Sequence, residues 1–243
     1  MSTNGRMRIT WYGHSCVEVV TPGGLVILFD PWFTNPLSPK SPDAVDRCDI
    51  LLVSHGHGDH IGEAQQIATR TRPMWPAVHE ISLYFGTRLP TGREACVGFN
   101  KGGTIEHRGV RITMVHADHS GGELRGDSDV PVYLGEPARF VVELETGSRF
   151  YFAGDTDVFG DMRLIAERYA PDLAFLPIGG HFTMDPRGAA LAVELLRVSQ
   201  VVPIHYGTFP LLAGTPAQLR DELARRGHSS VIVHQPSPGQ VLS

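Results

Sequence analysis

The chain has 243 residues, of which 42% are hydrophobic and 19% charged, with a formal net charge of −5. That is ample apolar material for a sizeable core, and the acidic balance without a block of five basic residues argues against a general nucleic-acid-binding surface. No run approaches the length of a membrane span, and residues 1–8 lack the apolar stretch of a secretory signal, so a cytoplasmic protein is expected.

In chain order, residues 8–12 and 17–20 read as strands around Gly13-His14-Ser15. Thr21-Pro22-Gly23-Gly24 carries hairpin turn chemistry, and 25–29 is apolar throughout, as a strand buried on both faces should be. That strand ends in Asp30-Pro31. Asp30 reads either as an acceptor holding the outer N–H of a ligating histidine or as an Asx-turn residue. His14 either reaches toward the same place or caps its own turn. Residues 32–42, rich in Pro, Ser, Asn and Thr, read as a loop. Cys16, Cys48 and Cys96 are odd in number and far apart, fitting neither a disulfide framework nor a zinc C-x-x-C pair. They read as free, buried thiols in a reducing compartment.

The run Ile50-Leu51-Leu52-Val53 is a short apolar strand, and residues 61–68 read as a short helix. Between them lies Ser54-His55-Gly56-His57-Gly58-Asp59-His60. Three histidines and an aspartate in H-x-H-x-D-H spacing would repel one another as imidazolium ions unless a metal or acceptors kept them neutral. Imidazole suits zinc, iron and similar first-row ions, and the carboxylate adds a harder ligand. The glycines leave the backbone free to fold all four toward one point, on a strand-to-helix loop where α/β proteins place their sites.

Further on, 76–86 reads as a helix with Val78, Ile81, Leu83 and Phe85 inward and His79 on the surface. Residues 104–107 and 110–117 form a strand pair around Arg108-Gly109, delivering His116-Ala117-Asp118-His119-Ser120 at a strand end, a natural place for a third histidine ligand. Residues 121–136 are polar and glycine-rich, with Glu123, Arg125, Asp127 and Asp129, and read as an exposed loop or one facing substrate. Strands at 140–144 and 150–153 follow, the second ending in Gly154-Asp155-Thr156-Asp157; 161–169 is an amphipathic helix stopped by Pro171. A buried strand at 173–178 ends in Gly179-Gly180-His181, where His181 is a candidate for orienting substrate or stabilising charge in the transition state. A helix at 187–198, a strand at 201–204 delivering His205, a capped helix at 216–226 behind Thr215-Pro216-Ala217-Gln218, and a strand at 230–234 complete the chain. His228 and His234 carry no ligand signal. The paired strand-strand-helix style of both halves, with no linker, predicts one domain over 1–243 of α/β (α+β) class.

The H-x-H-x-D-H motif, with Trp11-Tyr12-Gly13-His14-Ser15, Ala153-Gly154-Asp155-Thr156 and Pro203-Ile204-His205-Tyr206-Gly207, resembles the metallo-β-lactamase superfamily, in particular its metal-dependent hydrolase branch near the ascorbate-phosphate lactonases. The resemblance implies a four-layer αββα sandwich. It assigns His55, His57 and His119 to one metal ion and Asp59, His60 and His205 to a second, with Asp155 bridging. It also favours His119 over His116 and a supporting role for Asp30. The expected cofactor is two divalent ions, zinc foremost, with manganese or iron as alternatives. Two ions sharing a water lower its pKa from 15.7 toward about 7, generating a bridging hydroxide, while one polarises the scissile oxygen. The expected activity is hydrolysis of an ester, lactone or phosphoester of a small molecule, with Asp59 as a further proton acceptor and His181 near the substrate. G-x-S-x-G is absent, so no serine nucleophile competes. The same scaffold leaves a di-iron oxidoreductase or a metal-binding sensor as rivals, and lactonase-like relatives suggest a homo-oligomer.

Overall fold

The computed structural model describes residues 5–122 and 130–243. Its elements are β1 Arg8–Trp11, β2 Val17–Val20, β3 Val26–Phe29, β4 Ile50–Leu52, α1 Gly58–Ile61, α2 Ala64–Thr71, β5 Trp75–Val78, α3 His79–Gly86, β6 Cys96–Phe99, β7 Thr104–His107, β8 Val110–His116, β9 Ala138–Glu143, β10 Arg149–Phe152, α4 Met162–Tyr169, β11 Leu173–Pro177, α5 Pro186–Leu196, β12 Gln200–Ile204, α6 Pro216–Arg225, β13 Ile232–Val233 and β14 Val241–Leu242. They form a five-stranded sheet in the order β14-β1-β2-β3-β4 and a seven-stranded sheet in the order β13-β12-β11-β10-β9-β8-β7. A small parallel pair, β5 and β6, stands beside β4.

The two large sheets face each other across the main core. Phe29 of β3 stacks on Phe152 at 4.4 Å and meets Phe150 edge-on at 5.8 Å, so the central strands of both sheets are locked by interleaved aromatic rings. β3 and β4 are apolar on both faces, and the buried stripe Ala64, Ile67 and Ala68 of α2 joins the same cluster. A second cluster lies on the outer side of the seven-stranded sheet, where Met162 and Ile165 of α4, Ala189 and Val193 of α5, and Leu219 and Leu223 of α6 pack on Val141, Tyr151 and Ala174. The architecture is therefore helix, sheet, sheet, helix, the αββα sandwich that the resemblance implies. Among the described residues no helix is long and apolar enough to cross a membrane.

What positions the site is strand direction. β1, β3 and β4 share one direction because β2 is antiparallel to both β1 and β3, and β4 is parallel to β3. β8, β10, β11 and β12 likewise share a direction, since β9 is antiparallel to β8 and β10 while β11 and β12 follow β10 in parallel. Their carboxyl ends meet at one edge of the sandwich, tied by two bonds between sheets: Ala138 N–H donates to Ser54 O at 3.0 Å and His205 N–H to His14 O at 2.8 Å.

Several local expectations need correction. Residues 76–78 belong to β5, and the helix begins only at His79. Pro76 lacks a donor, which an edge pair of two strands tolerates. Val78 of β5 and Ile81 and Phe85 of α3 are buried as expected, but Leu83 is on the surface. The expected helix over 61–68 splits into α1 and α2 at Gly62, where φ is +42° and an added Cβ would lie 2.5 Å from the Trp32 backbone. β6 and β14 were not foreseen, and the final expected strand shrinks to Ile232–Val233. The capping box of α6 is present as expected: Thr215 accepts from Gln218 N–H, and Gln218 accepts from Thr215 N–H.

All three cysteines are free and buried, and burial pushes the Cys96 thiol up to about 12. We therefore expect all three to resist a disulfide-exchange reagent in the native protein and to titrate only on unfolding; fast labelling of the native state would contradict the packing. Truncating Phe29 to Ala removes a ring that is 0% exposed, and denaturant titration should show a loss of about 3–5 kcal/mol.

Candidate metal centre

The local chain explains how four candidate ligands converge. β4 ends at Leu52, and His55 follows in the turn before α1. His57 is the residue before the first turn of α1, its carbonyl accepting from His60 N–H at 3.0 Å and Ile61 N–H at 2.9 Å. Asp59 and His60 lie in that turn, so the helical twist fans their side chains around the axis.

The remaining residues arrive from other strand ends, and the ligand atoms fall into three overlapping groups. His55, His57 and His119 form one; Asp59, His60 and His205 form another, joined by His14; His55, His60 and Asp155 form the third. Within each, the atoms lie within 4.8 Å of one another. The Asp155 carboxylate stands between the first two groups, its Oδ2 at 2.9 Å from His205 Nε2, 3.1 Å from His60 Nε2 and 3.9 Å from His119 Nε2. His55 Nε2 and His57 Nδ1 point at the same space, 2.8 Å apart.

Outer hydrogen bonds set which ring nitrogen faces inward. Asp30, fully buried, accepts from Ser54 N–H at 2.7 Å, from Ser54 O–H at 2.7 Å and from His60 Nδ1 at 2.7 Å. With its proton given to Asp30, Ser54 Oγ accepts from His55 Nδ1 at 2.9 Å. Both rings thus turn Nε2 to the centre, the arrangement by which an acceptor fixes a ligand's tautomer. Gly154 makes this network possible: an added Cβ would lie 2.6 Å from Ser54 Oγ. His14 is 0% exposed and does not merely cap its turn. Its Nδ1 meets Thr208 Oγ1 at 2.6 Å and its Nε2 meets Asp59 Oδ2 at 3.0 Å.

Burial lowers the His14 and His119 imidazoles to about 4, and pushes His55 and His57 down as well. These rings are neutral at physiological pH, and those of His55, His57 and His119 keep a lone pair that a metal could take, while His14 commits its two nitrogens to Thr208 and Asp59. His60 behaves differently. Burial works against its charge, but Asp155, Asp30 and Asp59 outweigh it and hold the ring protonated. Asp155 and Asp59 are shifted the other way: burial opposes their ionisation, and the neighbouring histidines more than offset it. Asp155 Oδ1, His60 Nε2 and His205 Nδ1 are buried without a hydrogen bond to the protein. Neutral imidazoles, carboxylates and two orphaned atoms at the centre, Asp155 Oδ1 and His60 Nε2, fit a first-row divalent ion better than a self-satisfied polar core.

Other expectations resolve individually. His116 is exposed, its ring edge-on to Phe159 at 5.0 Å, away from the cluster that His119 joins. Asp118 and Asp157 are exposed, and Asp157 accepts from its neighbour Val158 N–H. His181 is exposed and faces a cleft of ≈540 Å³, shared with His57, Asp59, His119, Ser120, Asp155, Phe182, His205 and Phe209. Glu123, Arg125, Asp127 and Asp129 lie outside the described residues. One contributor was not foreseen: Arg139, 0% exposed, donates from Nη1 to Ala138 O at 2.7 Å, with Nε and Nη2 unbonded. Its charge adds to burial in keeping His55, His57 and His119 neutral. Its signal was a lone arginine opening the apolar run Ala138–Glu143.

Comparison with known proteins gives the family of the chain. The family model described as the beta-lactamase superfamily domain matches residues 26–206. A UPF0173 metal-dependent hydrolase of Myxococcus xanthus is 42% identical over 242 residues, covering 99% of this chain and 85% of that protein. Its namesake in Rubrobacter xylanophilus is 44% identical over 239 residues, covering 98% and 97%. Among solved structures, Igni18, a metallo hydrolase from Ignicoccus hospitalis, superposes with a TM-score of 0.84 at 34% identity, covering 97% of both chains. An isothiocyanate hydrolase from Delia radicum gut bacteria shares the fold alone, with a TM-score of 0.72 at 17% identity and 98% coverage of both chains. Similar to such relatives from end to end, the chain belongs to the metal-dependent hydrolases of the beta-lactamase superfamily.

Proposed function

We propose that the chain is a single-domain, dinuclear hydrolase that cleaves an ester, lactone or phosphoester bond of a small molecule. The observation that carries this reading is the placement of Asp155 Oδ2 within 2.9–3.9 Å of His205, His60 and His119, where one carboxylate serves both histidine groups. In this reading His55, His57 and His119 hold one ion, Asp59, His60 and His205 hold the other, and Asp155 is shared. Zinc leads on histidine content, with manganese or iron as alternatives. Bound there, such ions acidify a water and polarise the oxygen of the scissile group.

The chain's own residues do the rest. Asp30 and Ser54 keep Nε2 of His60 and His55 aimed inward, and His14, braced by Thr208, holds the Asp59 carboxylate from behind. Asp59 is also the carboxylate open to the cleft, its side chain 29% exposed against 3% for Asp155, so it is the one placed to take a proton from the attacking water. His181, which lines the same cleft, offers its ring to the substrate's developing charge. The three buried, unpaired thiols support a reducing compartment, the cytoplasm.

Protein purified without chelator should carry about two divalent ions per chain by elemental analysis. His57→Ala should lose bound metal together with hydrolysis, whereas a variant with full metal content and turnover would overturn the assignment. His14→Ala should fold normally by circular dichroism yet lose about 10–100-fold in metal affinity or kcat. If neither quantity moves, His14 does not position Asp59. Iron with redox turnover, and no hydrolysis, would shift the protein to an oxidoreductase.

A further inference from the structure

Arg139 is the one lysine or arginine that is wholly buried among the described residues. Its Nη1 donates to Ala138 O at 2.7 Å and to Ser54 O at 3.5 Å, while Nε and Nη2 are buried with no partner. A guanidinium keeps its proton in the interior, and a buried cation without a full set of partners is unfavourable. An apolar side chain of similar volume would pack as well or better, so packing gives no reason for a charge here. Position does.

Ala138 N–H donates to Ser54 O at 3.0 Å, one of the two backbone bonds between the sheets. The guanidinium lies on that link, beside the residue that precedes His55. Ala138 also pairs with His116 across β8 and β9, three residues before His119. Arg139 therefore stands where β4, β8 and β9 meet, among the chain ends that deliver His55, His57 and His119. The second group is supplied differently, Asp59 and His60 from α1 and His205 from the end of β12. β12 is three places from β9 in the seven-stranded sheet, roughly 14 Å at the usual strand spacing.

The two groups also differ in their own charge. His55, His57 and His119 bring no carboxylate, so an ion among them has only the shared Asp155 to neutralise it. The second group includes Asp59, and Asp30 stands behind it, bonded to His60 Nδ1 at 2.7 Å. Like charges repel more strongly the nearer they are and the drier the surroundings. Arg139 already helps to keep the imidazoles of His55, His57 and His119 uncharged, and a divalent ion in their place would meet the same repulsion.

Resting on the dinuclear reading above, we infer that Arg139 makes the two ion positions unequal, its fixed charge weakening the one among His55, His57 and His119. The ion among Asp59, His60 and His205 is the tighter of the pair. At limiting metal the chain holds one ion, in that second group.

The test starts from zinc-replete protein and from its Arg139→Met and Arg139→Gln variants, each shown to be folded by circular dichroism. Free zinc is lowered at one pH with a competing chelator, and native mass spectrometry counts the ions retained per chain. The unsubstituted protein should lose its ions in two steps separated by about tenfold or more in free zinc. Anomalous diffraction from crystals at the one-ion stage should place the retained ion among Asp59, His60 and His205. In both variants the step at higher free zinc should move about tenfold or more toward lower free zinc, and the other step should move less. Structural damage would shift retention the opposite way, so the direction separates charge from packing. Either folded variant decides: a first step that stays put or moves to higher free zinc would overturn the role of Arg139. A retained ion among His55, His57 and His119 would overturn the order. A chain that never holds two ions at saturating zinc would remove the dinuclear reading itself, and this inference with it.

Discussion

The structure depends on a buried carboxylate held among imidazoles. Asp155 is 2% exposed, with one oxygen shared between His60 and His205 and the other unbonded. An ion so far from water is unfavourable unless positive charge surrounds it. Here His205 and His60 keep the carboxylate ionised, and three acidic neighbours hold His60 protonated in turn. A divalent ion held by His60 and its neighbours would supply the same positive charge, so the arrangement that satisfies the folded chain also suits the ligands.

The sandwich supplies this arrangement through strand direction. Seven like-directed strand ends, four from one sheet and three from the other, meet at one edge, and each contributes a site or supporting residue. Aromatic rings between the sheets, Phe29 against Phe150 and Phe152, fix the sheets relative to each other. Residues far apart in sequence, such as His14 and Asp59, are thereby held at hydrogen-bond distance. The strained φ values of His14, Asp30, His181 and His205 cluster at this edge, where strain is retained because surrounding contacts over-determine the backbone.

What could be read from the residues followed how local each signal was. His55, His57, Asp59 and His60 stand within six positions, so their chemistry was visible at once. His119, Asp155 and His205 lie at strand ends whose meeting is a tertiary fact; the resemblance, not the spacing, singled them out. His14 stayed ambiguous because its role is set by Asp59 and Thr208, far along the chain. Arg139 was missed because a charge in an apolar strand gives no clue to which way it folds. The helix expected over 76–86 failed at its start for the opposite reason: Trp75–Val78 is too short and too uniformly buried for periodicity to tell strand from helix.

The most direct test of the account is anomalous diffraction at the metal absorption edge from crystals of metal-replete protein. The account predicts two peaks, one among His55, His57 and His119 and the other among Asp59, His60 and His205, with the Asp155 carboxylate in contact with both. A single peak, or none, would contradict the dinuclear centre.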